Sequence, residues 1–244
     1  MEPRARFFSA APAVFLHGPP FVAHWRAVTS PDPKLPRAFY ANPDVVTVAR
    51  RLLGQLLVVP TRAGRVSGLI VETEAYRGPE DRASHAWGGR RTLRTETMYA
   101  RGGTAYVYFV YGMYFQFNVV TGVAEVPHAV LVRALEPVEG VGLMRRRRGA
   151  GALHGLTSGP GKLCIALGIG RRFDRADLLG DRIWIERRPA VPARRIAAGP
   201  RVGIDYADAW VDRPWRFWLR DNPFVSRPPA LTRAGARRSA RGPT

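Results

Sequence analysis

At 244 residues the chain is long enough for one or two domains with a buried core, and 46% apolar residues exclude a wholly disordered polymer. The 38 Lys plus Arg against 19 Asp plus Glu give a net charge of +19, carried by arginine except at Lys34 and Lys162, so the expected partners are polyanions, nucleic acid before anionic membrane. The single cysteine, Cys164, excludes an intrachain disulfide framework and a cysteine zinc site, the five histidines form no close pair for a metal, and no apolar run approaches the ~18–20 residues that cross a bilayer.

Arg4 and Arg6 precede an apolar stretch from Phe7 to Leu16 that has the outline of a signal peptide, but Pro12 breaks it and Pro19 and Pro20 follow. With Pro31, Pro33 and Pro36, residues 1–36 read as a flexible leader before a domain over 37–227. Asn42-Pro43-Asp44 predicts a helix start, with Asn42 as cap and Pro43 at the first helical position, and Val45, Val48, Ala49, Leu52 and Leu53 recur at helical spacing up to Gly54. Leu56–Pro60 and Val66–Thr73 are strand-like across a turn at Gly64. Residues 77–103, rich in Gly and Arg, read as a long loop, and a loop that long in a compact domain usually carries function. Ala105–Val110 and Phe115–Val120 form the strongest hairpin signal, with Tyr111-Gly112-Met113-Tyr114 at its tip.

Ala129–Ala134 is a further strand, Pro137 is expected to open a short helix through Met144 ending in Arg145–Arg148, and Leu163–Leu167 is a short apolar helix. Later strands are expected at Arg182–Glu186 and Arg216–Arg220, and residues 228–244 read as a basic disordered tail. Strands dominate without regular strand–helix alternation, which predicts one α+β domain with a mostly antiparallel sheet.

Chemistry concentrates in a few places. Glu72 and Glu74 close an apolar strand, and on a regular strand they share a face with Tyr76. A carboxylate where a buried strand meets a loop can act as a general base; equally, either can be an acid paired with one of the many arginines. Tyr106 and Tyr108 fall on one strand face, Val107 and Phe109 on the other, and Tyr106 and Phe109 read as core. Tyr111, beside Gly112 at the tip, is hard to bury, and a large ring on a protruding turn of a basic protein suits wedging between stacked bases. Asn118 and Arg133 interrupt apolar strands and need partners if buried, Glu74 being a candidate for Arg133; a solvent-facing Arg133 is the other reading. Ser158-Gly159-Pro160-Gly161-Lys162 can bind phosphate at a helix start but lacks the spacing and the Ser or Thr of a P-loop.

Taken together, these segments resemble the alkyladenine-type 3-methyladenine DNA glycosylases. The matching runs are Leu69–Tyr76, Gly78–Asp81, Ser84-His85, Gly103–Tyr108, Tyr111–Phe115, Asn118, Arg133–Pro137, Ser158–Pro160, Lys162–Cys164 and Arg201–Ile204, spanning about residues 37–227. The resemblance implies one compact mixed domain with a protruding β-hairpin, no metal or cofactor, and a pocket for a flipped base. It implies Glu74 as the general base for water, helped by Arg133 and the Val202 backbone carbonyl. It also implies that Tyr76, His85 and Tyr108 sandwich the base and that the backbone around Ala83–His85 hydrogen-bonds it. Asn118 then disfavours the exocyclic amine of guanine, and Tyr111 fills the gap in the duplex. The sequence departs from the mammalian enzymes in a longer Asn118-to-Arg133 interval and in Asp205-Tyr206, where Gly-His stands in those enzymes.

The partner implied is double-stranded DNA with damaged purines, the enzyme a monofunctional, monomeric glycosylase that begins base excision repair in the cytoplasm or nucleoid of a bacterium, or the nucleus of a eukaryote. A catalytically silent nucleic-acid binder and a basic membrane-associated or secreted protein remain as the other classes compatible with the charge.

Overall fold

In the computed structural model, which describes residues 33–149 and 151–226, two residues ahead of the expected domain start already pack with it: Leu35 is buried in the core and Lys34 bridges to Glu186 at a sheet edge. The remainder of the expected leader (residues 1–32) and the expected tail (228–244) lie outside the described residues. After a one-turn helix, α1 (Arg37–Tyr40), the first amphipathic helix is α2 (Val45–Leu52). Its cap is Asp44, not Asn42. The Asp44 carboxylate accepts from the Val46 N–H at 3.0 Å, while Asn42 Oδ1 takes the Asp44 N–H at 2.9 Å. Two short acceptors in succession thus move the start past Pro43, which lies outside the helix.

Strands β1 (Leu56–Thr61) and β2 (Gly64–Arg77) form a hairpin, followed by the 78–103 segment, which contains three isolated 3-10 turns. The predicted aromatic hairpin is β3 (Ala105–Val110) and β4 (Tyr114–Thr121). Strand β5 runs from His128 to Glu139, so Pro137 is a strand residue opposite Gly68 and not a helix start. The register shifts beside this pair, between Ser67 and Gly68, where a residue without an N–H is tolerated. Helix α3 (Val141–Arg148) begins only after Gly140, whose φ of 72° and whose position 2.8 Å from the Arg65 carbonyl oxygen, measured from a would-be Cβ, both require glycine. Helix α4 (Pro160–Leu167) starts earlier than expected, with Pro160 in its first turn. Strand β6 (Trp184–Glu186) and the hairpin of β7 (Ile196–Gly199) and β8 (Arg216–Leu219) complete the fold; β7, Ile-Ala-Ala-Gly, carries too little strand signal to be read from sequence.

Every strand pair is antiparallel, in the order β3-β4-β5-β2-β1-β6, with β8 joining the C-terminal half of β2. This is the expected α+β class. One sheet face (Ile70, Ala75, Val107, Phe117, Val119, Val130, Val132) packs with α2 and α4 into the main core. On the other face Tyr106, Val120 and Ala129 meet Ala86, Met98 and Tyr99 of the 78–103 loop. Period-two alternation therefore sends each neighbouring residue of β3, β4 and β5 to opposite environments, helix-packed core or loop-covered face. Phe109, expected in the core, is 40% exposed near the hairpin tip, its ring tilted against Phe115 with centroids 5.0 Å apart.

Candidate active site

The loop-covered face holds a cavity of about 330 Å³. Of the residues singled out from sequence, Tyr76, Ala83, His85, Tyr108, Tyr111, Asn118, Arg133 and Val202 all line it. Glu74 does not. It lies fully buried just behind the wall, and its three hydrogen-bond donors all belong to that wall. Oε1 accepts from the Val202 backbone N–H at 2.7 Å; Oε2 accepts from the Tyr76 hydroxyl at 2.9 Å and from an Arg133 guanidinium nitrogen at 3.2 Å. Val202 therefore touches Glu74 through its N–H, whereas the resemblance implies a role for its carbonyl.

A double irregularity in the β2–β5 ladder creates this arrangement. The register runs Ile70↔Leu135, Glu72↔Ala134, Thr73↔Val132, leaving Val71 on one strand and Arg133 on the other without an opposite residue. Such bulges re-aim side chains, and here Arg133 reaches two carboxylates at once, Glu72 at 3.0 Å through Nε and Glu74 at 3.2 Å. Burial pushes the Arg133 pKa down, but Glu74 and Glu72 more than offset this, and the net direction is up. Burial and then the Glu74 charge raise the Tyr76 hydroxyl, which stays protonated and able to donate.

Glu72 has a different environment. It accepts from Arg133, from Arg216 Nε at 2.7 Å, and from both the N–H (2.7 Å) and hydroxyl (2.9 Å) of Ser226. Three of these donors meet Oε1 and one, the Ser226 N–H, meets Oε2, and only Arg133 among them borders the cavity.

The cavity's aromatic side is built by β3 and the 78–103 loop. His85 Nδ1 lies 3.0 Å from the Tyr106 hydroxyl, and its ring meets Tyr108 edge-on with centroids 4.6 Å apart. Burial, reinforced by the nearby Arg94 charge, lowers the His85 pKa to about 4, so the ring is neutral at physiological pH. Tyr108 donates to Gln116 Oε1 at 2.5 Å, with the Arg94 guanidinium over its ring. Asn118 Nδ2 donates to the Tyr106 carbonyl at 3.2 Å, fixing the amide against the wall. Asp81 accepts from the Ala83 N–H through its side chain and from the Ser84 N–H through its carbonyl, so both amides are already engaged. Tyr111 is 78% exposed at the hairpin tip with φ 54°, followed by Gly112 at φ 67°.

Sequence reasoning missed Arg201 and Asp81 as a unit. Their fully buried two-point ion pair (2.5 and 2.9 Å) ties the 78–86 segment to the 201–206 segment, and Arg201 also donates to the Ala75 carbonyl and lies over the Tyr76 ring. Both residues fall within matched runs, but nothing local pairs them. A wider cleft, about 660 Å³, lies between α1–α2 and residues 187–196; it gathers arginines and apolar groups but no carboxylate. The convergence of a carboxylate, its three donors and clustered aromatics is found at the smaller cavity.

Comparison with known proteins shows the family to which the chain belongs. The chain matches the family model described as methylpurine-DNA glycosylase over residues 38–223. It is 48% identical over 205 residues to a Bacillus cytotoxicus protein named "Putative 3-methyladenine DNA glycosylase", covering 80% of this chain and all of that one. Proteins of the same name from Chlamydia abortus (48% over 187 residues, 76% of this chain and 97% of the relative) and Desulfitobacterium hafniense (47% over 201 residues, 79% and 98%) are similarly close. Among the described residues no helix is long and apolar enough to cross a membrane.

Proposed function

Since the chain belongs to the methylpurine-DNA glycosylase family and is a DNA-repair hydrolase of N-glycosyl bonds, we propose that its cavity receives a purine flipped out of duplex DNA. The substrates are 3-methyladenine and other alkylpurines, with hypoxanthine a further one. Extrusion costs a few kcal/mol, least for damaged or mispaired bases, and stacking on aromatic side chains returns about 1–3 kcal/mol per base. In this reading Tyr76, His85 and Tyr108 hold the base and Tyr111 occupies the gap it leaves. The backbone of Ala83–His85 meets its edge, the His85 N–H being the amide of that stretch not taken by Asp81 or Ser84.

The observation that carries the reading is the asymmetry of the two glutamates. Glu74 accepts from three cavity-lining groups and keeps one lone pair for a further donor, and a water there stands between carboxylate and sugar. The C1′–N bond breaks, its electron pair leaving with the base, and C1′ becomes cationic. Water oxygen then bonds to C1′ as Glu74 takes the water proton. An alkylated purine is already a good leaving group; neutral hypoxanthine needs protonation to depart. The products are a free base and an intact abasic site, and the enzyme works as a monomer on DNA in the cytoplasm or nucleoid.

Strand cleavage through a Schiff base needs an uncharged amine near the sugar. Lys34 lies at the far sheet edge, paired with Asp181, and Lys162 borders a different cleft, with His154 and Pro223. Incubation with duplex containing hypoxanthine or an alkylated purine should therefore release free base and leave the strand unbroken. Absence of free base, or a borohydride-trapped covalent adduct, would overturn the respective halves of the proposal.

A further inference from the structure

A second cleft of about 600 Å³ adjoins the base cavity and shares His85 and Tyr206 with it. Two exposed aromatics line it, Trp87 (48%) and Tyr206 (64%), together with Arg82, Arg90 and Arg94, and no carboxylate. The Trp87 ring is held rather than loose. The Arg82 guanidinium lies 4.8 Å from the Trp87 ring centroid and is itself anchored to Asp208, and Arg94 sits over Tyr108 at the boundary between the two cavities. Exposed aromatic rings beside guanidinium groups are the composition with which proteins grip unpaired nucleotides, a base on the ring and the phosphate on the cation. In a duplex the base beside the lesion is stacked and paired, so such a surface has nothing to take; in a single strand it has.

We propose that this cleft is a subsite for a nucleotide flanking the lesion in single-stranded DNA, with Trp87 as its stacking platform. It rests on the glycosylase reading and extends it to a second substrate class. The base cavity serves both classes; the Trp87 cleft serves unpaired DNA, where the hairpin-tip wedge has no duplex to hold open.

The test compares excision of one alkylated purine from matched single-stranded and duplex oligonucleotides. Loss of one base–aromatic stack predicts that Trp87→Ala lowers kcat/KM on the single strand by roughly tenfold while duplex excision changes by less than about twofold. Trp87→Phe should restore most of the single-strand activity, which a merely structural loss would not. Affinity for an undamaged single-stranded oligonucleotide, measured by anisotropy, should fall in Trp87→Ala and recover in Trp87→Phe. Equal losses on the two substrates, or no loss on either, would overturn the subsite. If the wild-type protein releases no base from either substrate, the glycosylase reading fails, and the anisotropy comparison still decides whether Trp87 grips unpaired DNA.

Discussion

Glu72 and Glu74 stand two residues apart on β2, both fully buried and both bound to Arg133, yet they occupy different kinds of site. Around Glu72 the donors come from β5, β8 and Ser226 and lead to the C-terminal segment. Around Glu74 each donor is also a wall of the cavity. Burial and charge therefore do not mark the reacting group, since both carboxylates share them. What separates the pair is where the donors lead: those of Glu74 all line the cavity, and of those of Glu72 only Arg133 does.

Replacing each glutamate in turn breaks the comparison most directly. Glu74→Gln keeps the shape but cannot take a proton, and excision should fall by about 100- to 10,000-fold. Affinity for lesion-containing DNA should survive, because stacking and phosphate contacts are untouched. Glu72→Gln strips the counter-charge from a buried network joined by two arginines. Breaking such a pair costs about 3–5 kcal/mol, so the melting temperature should drop by roughly 10 °C while excision per folded molecule stays within a few-fold. Single-turnover excision and thermal unfolding measured on both variants check this. Near-normal excision by Glu74→Gln, with Glu72→Gln inactive yet folded, would reverse the assignment.

Arg133 joins the two regions, and its substitution is the next effect in size. A guanidinium reaches Glu72 through Nε and Glu74 through a terminal nitrogen, two directions that a lysine ammonium cannot serve together from one point. Arg133→Lys is expected to lose both excision, by about 10- to 100-fold, and some stability, whereas each glutamate variant loses mainly one. A lysine variant that loses only one of the two would mean that Arg133 belongs to that region alone.

What could be read from sequence divides by range along the chain. Tyr76, Asn118 and Arg133 reach the cavity through period-two alternation and Tyr111 through a tight turn, all local signals, and the ordered motifs fix their company. The long-range pairs on both sides are not local: Glu72 meets Arg216 and Ser226 144 and 154 residues away, Glu74 meets the Val202 N–H 128 residues away, and Asp81 meets Arg201 120 residues away. No periodicity encodes such pairs. The bulge that skips Arg133 was equally illegible, because a one-residue register shift leaves the apolar pattern of Val130-Leu131-Val132 intact. Pro137 differs from its sequence signal for a related reason: a proline marks a helix start unless a register shift admits it to a strand.

The exposed tip sharpens the cavity side without touching the glutamates. Tyr111→Ala should reduce excision from duplex by roughly tenfold, the scale of one lost stacking contact, and reduce it far less from a single strand, where no gap needs filling. This is the opposite preference to that expected for Trp87. If Tyr111→Ala costs both substrates equally, the ring acts within the cavity it lines and not as a wedge.

The smallest expected effect is a pH dependence confined to the cavity side. Burial and then the Arg94 charge hold the His85 pKa at about 4, against an ordinary 6.5 in the unfolded chain. Between those values the unfolded chain binds the extra proton and the folded one does not. His85 therefore lowers stability as pH falls from about 6.5 to 4, by at most ~1.4 kcal/mol per pH unit, and contributes no slope above 6.5. The difference in unfolding free energy between wild type and His85→Gln, followed through that window, isolates this slope from the carboxylates. Arg94→Met removes one of the two causes, so the His85 resonance should titrate higher by NMR and the window should narrow from its acid end. Because the ring is already neutral, excision of an alkylated purine should show no inflection attributable to His85 between pH 5 and 8. A ring that titrates at or above 6.5 would mean that protonated His85 faces the base, and the cavity would then be repelling the cationic alkylpurines it is proposed to hold.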